Sequence, residues 1–490
     1  MKVRWCPNQI DFPAGIAKSH GRPYAVYLFF NFVKHEVDES LLVHLHSRYV
    51  WLGKLRKYLT GIEDQNQQAS ARESENMDNL PLITCGISKR GLSNLKFLRH
   101  YEDMFTYLPK PSQQGKIKKL FNQILYTKKK ERKIRDADGV IMIAAKCPNV
   151  IEEFKEKINN ISDDAVTIAH NVYCRRHYDA HNKDDFRGPL GYYDGISNPR
   201  DAEAYELVKR IDPFFSTDNN CVYGSTMSLV QIQINPKVFA DNIDSTIDEI
   251  LEEWYGREPG RSLDKERDYL REELRSVYMG RYSNGRPRTE QFKGVNIKAY
   301  SGPKDHDNDW GFDIAKNGTP AYCPHFAHIR AANPRLLENK SPTIVRRGMN
   351  YLHMPEVGTE PQEAKVAGLL FIAFHRDFGR LKTVLDQLFY AKDPISYHGQ
   401  NVPSPKPDFL KKLSRLLAKV MQLEEGIRGS EEIEPEVDMR FQIESMTGKK
   451  WEGEFRPERE THLARLAQAF FYFPPLRFFK YAESLAAQKN

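Results

Sequence analysis

An α+β architecture of two similar lobes is predicted by two observations: a strand-length apolar run followed by a helical repeat occurs four times, and the later pair answers the earlier one. YAVYLFFNFV at 24–33 has strand length, and behind it Leu41, Leu45, Tyr49 and Leu52 fall at i, i+4, i+8 and i+11, the spacing of one helix face. Its counterpart SLVQIQI at 228–234 alternates as a strand does, and Ile243, Ile247, Ile250 and Trp254 repeat the helical spacing. In the same way VIMIAA (140–145) leads into a helix carrying Val150, Ile151, Phe154 and Ile158. GLLFIAF (368–374) leads into one carrying Phe378, Leu381, Leu385 and Leu388. The pattern predicts open strands with helices on one face, in two lobes joined near residues 200–222.

Polar stretches interrupt this pattern at 63–78, 109–135 and 394–437, the last around an amphipathic helix at 408–423, and all three read as surface insertions. The KKKERKIR run within 109–135 has few aromatics to stack bases, so a solvated basic loop is preferred to a nucleic-acid patch. The net charge of +7 is a small difference between 73 basic and 66 acidic residues and does not by itself imply such a partner. The six cysteines are scattered singly, without CxxC spacing, as expected of reduced thiols rather than a disulfide framework. The first residues lack the apolar stretch of a secretory signal and no later run reaches the ~18 apolar residues of a membrane span, so a soluble, cytoplasmic protein is expected.

Three segments carry candidate chemistry. GYYDGISNPR at 191–200 is a strong turn signal; alternatively its glycines let the backbone pass close to a flat ligand with Asp194 fixed over it. CPHFAHIRAANPR at 323–335 places His325 and His328 three apart, near Cys323. No fourth ligand follows at the spacing usual for zinc, whereas haem iron commonly takes a single imidazole. TIVRRGMNYLHMP at 343–355 holds paired arginines after a β-branched run: either an exposed strand end or an inward cation facing an anion or peroxide oxygen.

Together the three resemble the dye-decolourising (DyP-type) peroxidase family, whose signature is a GxxDG segment, a proximal histidine far downstream and an arginine about eighteen residues beyond it. In this sequence those residues are Asp194, His328 and Arg346. LITCGISKRGLSNL (82–95), MGRYSNGRPR (279–288), DNDWGFD, GLLFIAF and FFYFPP also correspond in order, so the likeness extends over most of the chain, as in the family's longer members. The stretch before GYYDG reads FRGPL where relatives often carry phenylalanine, and the chain after 394 departs from the family until FFYFPP.

The resemblance implies tandem ferredoxin-like domains of the dimeric α+β barrel type, 1–218 ending in the GxxDG segment and 219–490 holding the haem. It implies one haem b, with His328 as iron ligand and Asp194 and Arg346 as catalytic residues acting on hydrogen peroxide. Gly195 and Ile196 would lie along the cofactor, Leu369 and Phe371 would line the distal pocket, and Arg330 and Arg335 would meet the propionates. Asp393, or else Asp386, would support the proximal imidazole. The reductant would be an aromatic compound, with bulky substrates oxidised at surface tyrosines or tryptophans; no nucleic acid or membrane is expected, and an oligomer is left open. The alternative is a haem-binding carrier or iron-releasing protein without peroxidase turnover.

Overall fold

The computed structural model describes residues 11–19, 21–33, 41–62, 64–65, 80–106, 133–176, 187–193, 198–199, 201–256, 263–288, 323–324, 327–332, 343–353, 365–382, 384, 440–444, 449–454 and 463–488. The bulk of the three polar stretches, the DNDWGFD block and Asp194, Gly195, Ile196, His325, Arg335, Asp386 and Asp393 lie outside them.

In the first half, β1 (Tyr24–Phe32), α1 (Leu41–Arg56), β2 (Leu82–Ile87), α2 (Lys89–Asn94), β3 (Gly139–Ala145), α3 (Pro148–Ser162) and β4 (Val166–Arg175) follow in order. A short α4 (Asp201–Val208) and edge strand β5 (Arg210–Ile211) lead into the second half. There come β6 (Tyr223–Ile234), α5 (Pro236–Tyr255), α6 (Asp264–Met279), α7 (His328–Ala332), β7 (Val345–Arg346), β8 (Met349–His353) and β9 (Lys365–His375). A hairpin, β10 (Arg440–Glu444) with β11 (Lys450–Glu454), precedes β12 (Leu463–Phe473) and α8 (Leu476–Ala487).

The strands close into a barrel, as the dimeric α+β barrel type implied by the resemblance expects, rather than staying open as the apolar pattern alone suggests. The sheet runs β6-β12-β2-β3-β1-β4-β8-β9, and the pairing of β6 with β9 closes it into an antiparallel barrel. Each half supplies four barrel strands. Numbered in chain order within its half, each quartet has the order 4-1-3-2: β4-β1-β3-β2 in the first and β12-β6-β9-β8 in the second. The quartets are sewn together at two short seams, β4 with β8 through Cys174↔Tyr351 and Arg175↔Asn350, and β12 with β2 through Tyr472↔Ile87. Closure satisfies the backbone donors and acceptors that an open sheet would leave at its edges.

The pleat divides the apolar residues between two faces. Ala25, Tyr27 and Phe29 of β1, Val140 and Met142 of β3, Leu370, Ile372 and Phe374 of β9 and Phe471 of β12 fill the interior, with Phe12, Ile16 and Tyr205. Val26, Leu28, Phe30, Ile141 and Ile143 face outward and are covered by Trp51, Leu52 and Leu55 of α1, Ile158 of α3 and Phe478 and Phe479 of α8. β6 begins at Tyr223, earlier than its alternation predicts, because the fully buried Ser225 and Thr226 hide the pattern; Thr226 Oγ1 is satisfied by the carbonyl of His375. The unanticipated helix α6 packs Leu270, Leu274 and Val277 against Ile243, Ile247 and Ile250 of α5.

Candidate active site

β7 and β8 pair with the same edge of β9 in one continuous register, Val345↔Phe374 and Arg346↔Ala373, then Met349↔Leu370. Val345 and Met349 point into the barrel with Leu370, Ile372 and Phe374, so alternation sends Arg347 inward and Arg346 outward. The paired arginines therefore separate. Arg347 lines a small internal cavity with Gly15, Ile16, Met227 and Ile372, its Nη2 donating to the Ala17 carbonyl at 2.5 Å. Arg346, half-buried rather than an exposed strand end, shares the outer face with Leu369 and Phe371, which are also half-buried.

On that face a small apolar cluster is formed by Val230 and Ile232 of β6 and Val384, with Ile344, Phe371, Phe470 and Ala332 packed against it. Ile344 precedes Arg346 by two residues, and Ala332 closes the short helix that His328 opens. One patch of barrel surface thus gathers the Arg346 strand, the His328 helix and Phe371.

The chain around GxxDG is fixed on both sides. Upstream, Gly191 has φ +79°, where a Cβ would stand 2.8 Å from Arg275 Nη2, so glycine is required. Arg275 Nη2 donates to the Leu190 carbonyl at 2.6 Å and lies over the Tyr192 ring, while the Tyr192 hydroxyl donates to the Arg275 carbonyl at 2.7 Å. Downstream, Asn198 Oδ1 accepts from the backbone N and Nε of Arg346. The segment that contains Asp194 is thereby tethered at one end to α6 and at the other to the Arg346 strand. Nothing in the sequence singled out Asn198 beyond its closeness to Asp194.

His328 is half-buried at the start of α7. Arg330 is buried, and its Nη1 donates to the Cys323 carbonyl at 2.5 Å, so one of its nitrogens holds the local turn. Burial pushes the Cys323 thiol up to about 11, although Arg330, Arg288 and Arg281 pull against that rise. A thiol held protonated near neutral pH is a poor metal ligand, which leaves the imidazole as the better donor in this segment. Among the described residues no group of three His, Cys, Asp or Glu is placed to hold a metal ion.

These residues fit an iron porphyrin: a partly exposed apolar floor for the ring, one imidazole, and a guanidinium on the strand face beside that floor.

Residues 185–404 match the family described as Dyp-type peroxidase, C-terminal. Among solved structures, the DyP-type peroxidase of Anabaena sp. has a TM-score of 0.63 at 15% identity, with 97% of this chain and 94% of that one covered. DyP2 from Amycolatopsis sp. gives 0.62 at 19%, covering 98% of each chain. A fungal DyP-type peroxidase from Auricularia auricula-judae gives 0.55 at 12%, covering 99% and 100%. No curated protein sequence matches significantly. The class is thus that of haem-binding peroxidase enzymes. Residues 185–404 thus resemble the C-terminal part of Dyp-type peroxidases, and along its length the chain shares the fold of the solved DyP-type peroxidases. Among the described residues no helix is long and apolar enough to cross a membrane.

Proposed function

We propose that the chain is a haem-dependent peroxidase that reduces hydrogen peroxide and oxidises dyes, phenols or other aromatic electron donors. The observation that carries this reading is the bond between Arg346 and Asn198, which ties the chain four residues beyond Asp194 to the strand whose outer face also holds Phe371. The 4-1-3-2 order in each quartet supports two ferredoxin-like halves, 1–218 and 219–490.

His328 would hold one haem b, which would supply the redox centre that gives two electrons to the peroxide and recovers them from the aromatic donor. Asp194 is the carboxylate of the GxxDG segment. Its role is to take a proton from the peroxide oxygen and return it to the departing oxygen, base and then acid. Arg346 stabilises the negative charge that develops there. Leu369 and Phe371 keep the pocket small and dry, so bulky donors give up electrons at surface tyrosines or tryptophans. Gly195 and Ile196 would lie along the ring, and Arg330 and Arg335 would meet the propionates. Asp393, with Asp386 as second candidate, would accept from the other ring nitrogen of His328 and strengthen it as a donor.

Two variants test the reading. His328→Ala should abolish or strongly alter the visible absorption of the haem-loaded protein. Asp194→Asn should keep that absorption and lose about 10²–10⁴-fold in peroxide-dependent dye oxidation. Undiminished oxidation in Asp194→Asn would remove the catalytic assignment. A parent that binds haem without turning over peroxide would be a carrier or iron-releasing protein.

A further inference from the structure

The segment MGRYSNGRPR, Met279–Arg288, has no part in the reaction proposed above, yet it touches both sides of the site. On one side Gly280, with φ +85°, ends α6 and lies against α7: an added Cβ would stand 3.2 Å from Cys323 Sγ, 3.5 Å from Ile329 Cβ and 3.6 Å from Ala327 Cβ. Ala327 and Ile329 flank His328. On the other side the Ser283 carbonyl accepts from the backbone N of Tyr193 at 2.9 Å and from Arg187 Nη1 at 2.7 Å. Tyr193 immediately precedes Asp194.

Between these contacts the chain is closed on itself. Tyr282 N donates to the Arg286 carbonyl, Arg288 N to that of Gly280 and Gly285 N to that of Tyr282, each at 2.9 Å; Arg281 Nη1 donates to the Gly285 carbonyl at 2.8 Å. The end of the segment is fixed by an ion pair between Arg288 and Glu273 of α6, whose side chains are 4% and 1% exposed. Arg288 Nη1 also reaches Ser276 Oγ at 2.5 Å, and the Tyr282 hydroxyl donates to Glu273 Oε1 at 2.8 Å. Burial alone would lower the Arg288 pKa, but Glu273, by charge and hydrogen bond, outweighs it together with Tyr282 and Cys323, and the guanidinium is held charged. A buried pair of this kind costs desolvation energy that two apolar residues would avoid, so stability alone is a weak account of it.

We infer that Glu273 and Arg288 are positioning residues that lock the Met279–Arg288 turn as a spacer, setting the separation between His328 and Tyr193, the residue before Asp194. The inference rests on the haem reading of the site. A loosened spacer moves the imidazole relative to the opposite loop, and that changes haem affinity and ligand field as well as turnover.

The test titrates haem into apo-protein of the parent, of the double variant Glu273→Leu/Arg288→Met, and of Gly280→Ala, with circular dichroism and thermal unfolding alongside. The double variant removes both charges and strands neither. Gly280→Ala presses on α7 without touching the pair. We expect folded variants whose haem dissociation constant rises at least about tenfold and whose visible bands shift, because a displaced imidazole weakens its bond to iron. Folded variants with parental affinity, parental bands and parental turnover would overturn the inference. Should the double variant fail to fold, Gly280→Ala decides by the same readings. A parent that takes up no haem, or a His328→Ala variant with unchanged bands, would overturn the haem reading and this inference with it. Parental binding beside unmoved spacer variants overturns the inference alone.

Discussion

Asn198 Oδ1 accepts two hydrogen bonds from Arg346, from its backbone N at 3.1 Å and from Nε at 3.4 Å. One amide oxygen thus fixes both the strand end and the plane of the guanidinium, four residues beyond Asp194. Asn198→Ala should lower the rate of peroxide-dependent oxidation by about 10–100-fold, the cost of a small misplacement of a reacting group. Steady-state kinetics would measure this, with haem absorption expected to stay parental; an unchanged rate would show that Arg346 needs no such holder.

Gly368 sits where β9 meets β6 and closes the barrel. A Cβ there would stand 2.0 Å from the Ile232 carbonyl oxygen and 2.7 Å from Tyr351 Cε1, and backbone on one side cannot yield without breaking the ladder. Gly368→Ala should destabilise the fold by about 3 kcal/mol or more, in the range reserved for overpacking and backbone clashes. Chemical denaturation is the measurement, and a midpoint equal to the parent's would contradict the closure.

Asp212 is fully buried and its carboxylate accepts from the Tyr472 hydroxyl at 2.6 Å, the Tyr101 hydroxyl at 3.1 Å and the backbone N of Phe214 and Phe215 at 2.9 Å each. Asp212→Ala leaves those donors without their acceptor and should cost on the order of 3–5 kcal/mol. Urea unfolding would report it, with the visible spectrum of the haem-loaded protein unmoved.

His375 is buried, and burial, partly opposed by Asp377, holds its imidazole down at about 4 against 6.5 for the free group. Between those values the unfolded chain binds a proton that the folded chain refuses. Stability from this group is therefore full above about pH 6.5, falls as pH drops through the window and levels off below about 4. The loss is on the order of 3 kcal/mol. His375→Asn, which can still accept from Asp377 N, should flatten that slope in unfolding measured from pH 7 to 4; an identical slope would assign it to other groups.

The elements with local patterns were legible: β1, β3 and β9 as apolar runs, and α1, α3 and α5 as helical repeats, all sit where the spacing predicts. Closure was legible only through the family resemblance, because the β12–β2 and β4–β8 seams join residues far apart in sequence and leave no periodic trace. No element is assigned at α6 from the sequence, because the charged residues of DKERDYLREELRSVYM mask its apolar face and two of them, Glu266 and Glu273, are buried. Leu270, Leu274 and Val277 at i, i+4 and i+7 carried the signal. The family resemblance proposes His328, Arg346, Leu369 and Phe371 as site residues; that Arg346, Leu369 and Phe371 share one outer face depends on the register of β7, β8 and β9, which no single segment encodes.

The last barrel strand in chain order, β12, lies between β2 and β6, with α8 following it against α1. Until residues 463–473 leave the ribosome, the nascent polypeptide carries two unpartnered sheet margins, one from each half, and both are apolar. Synthesis order therefore makes the arrival of this late strand the step that shields the molecule from edge-to-edge association, and a product truncated before it is exposed to that fate whatever the state of its pocket.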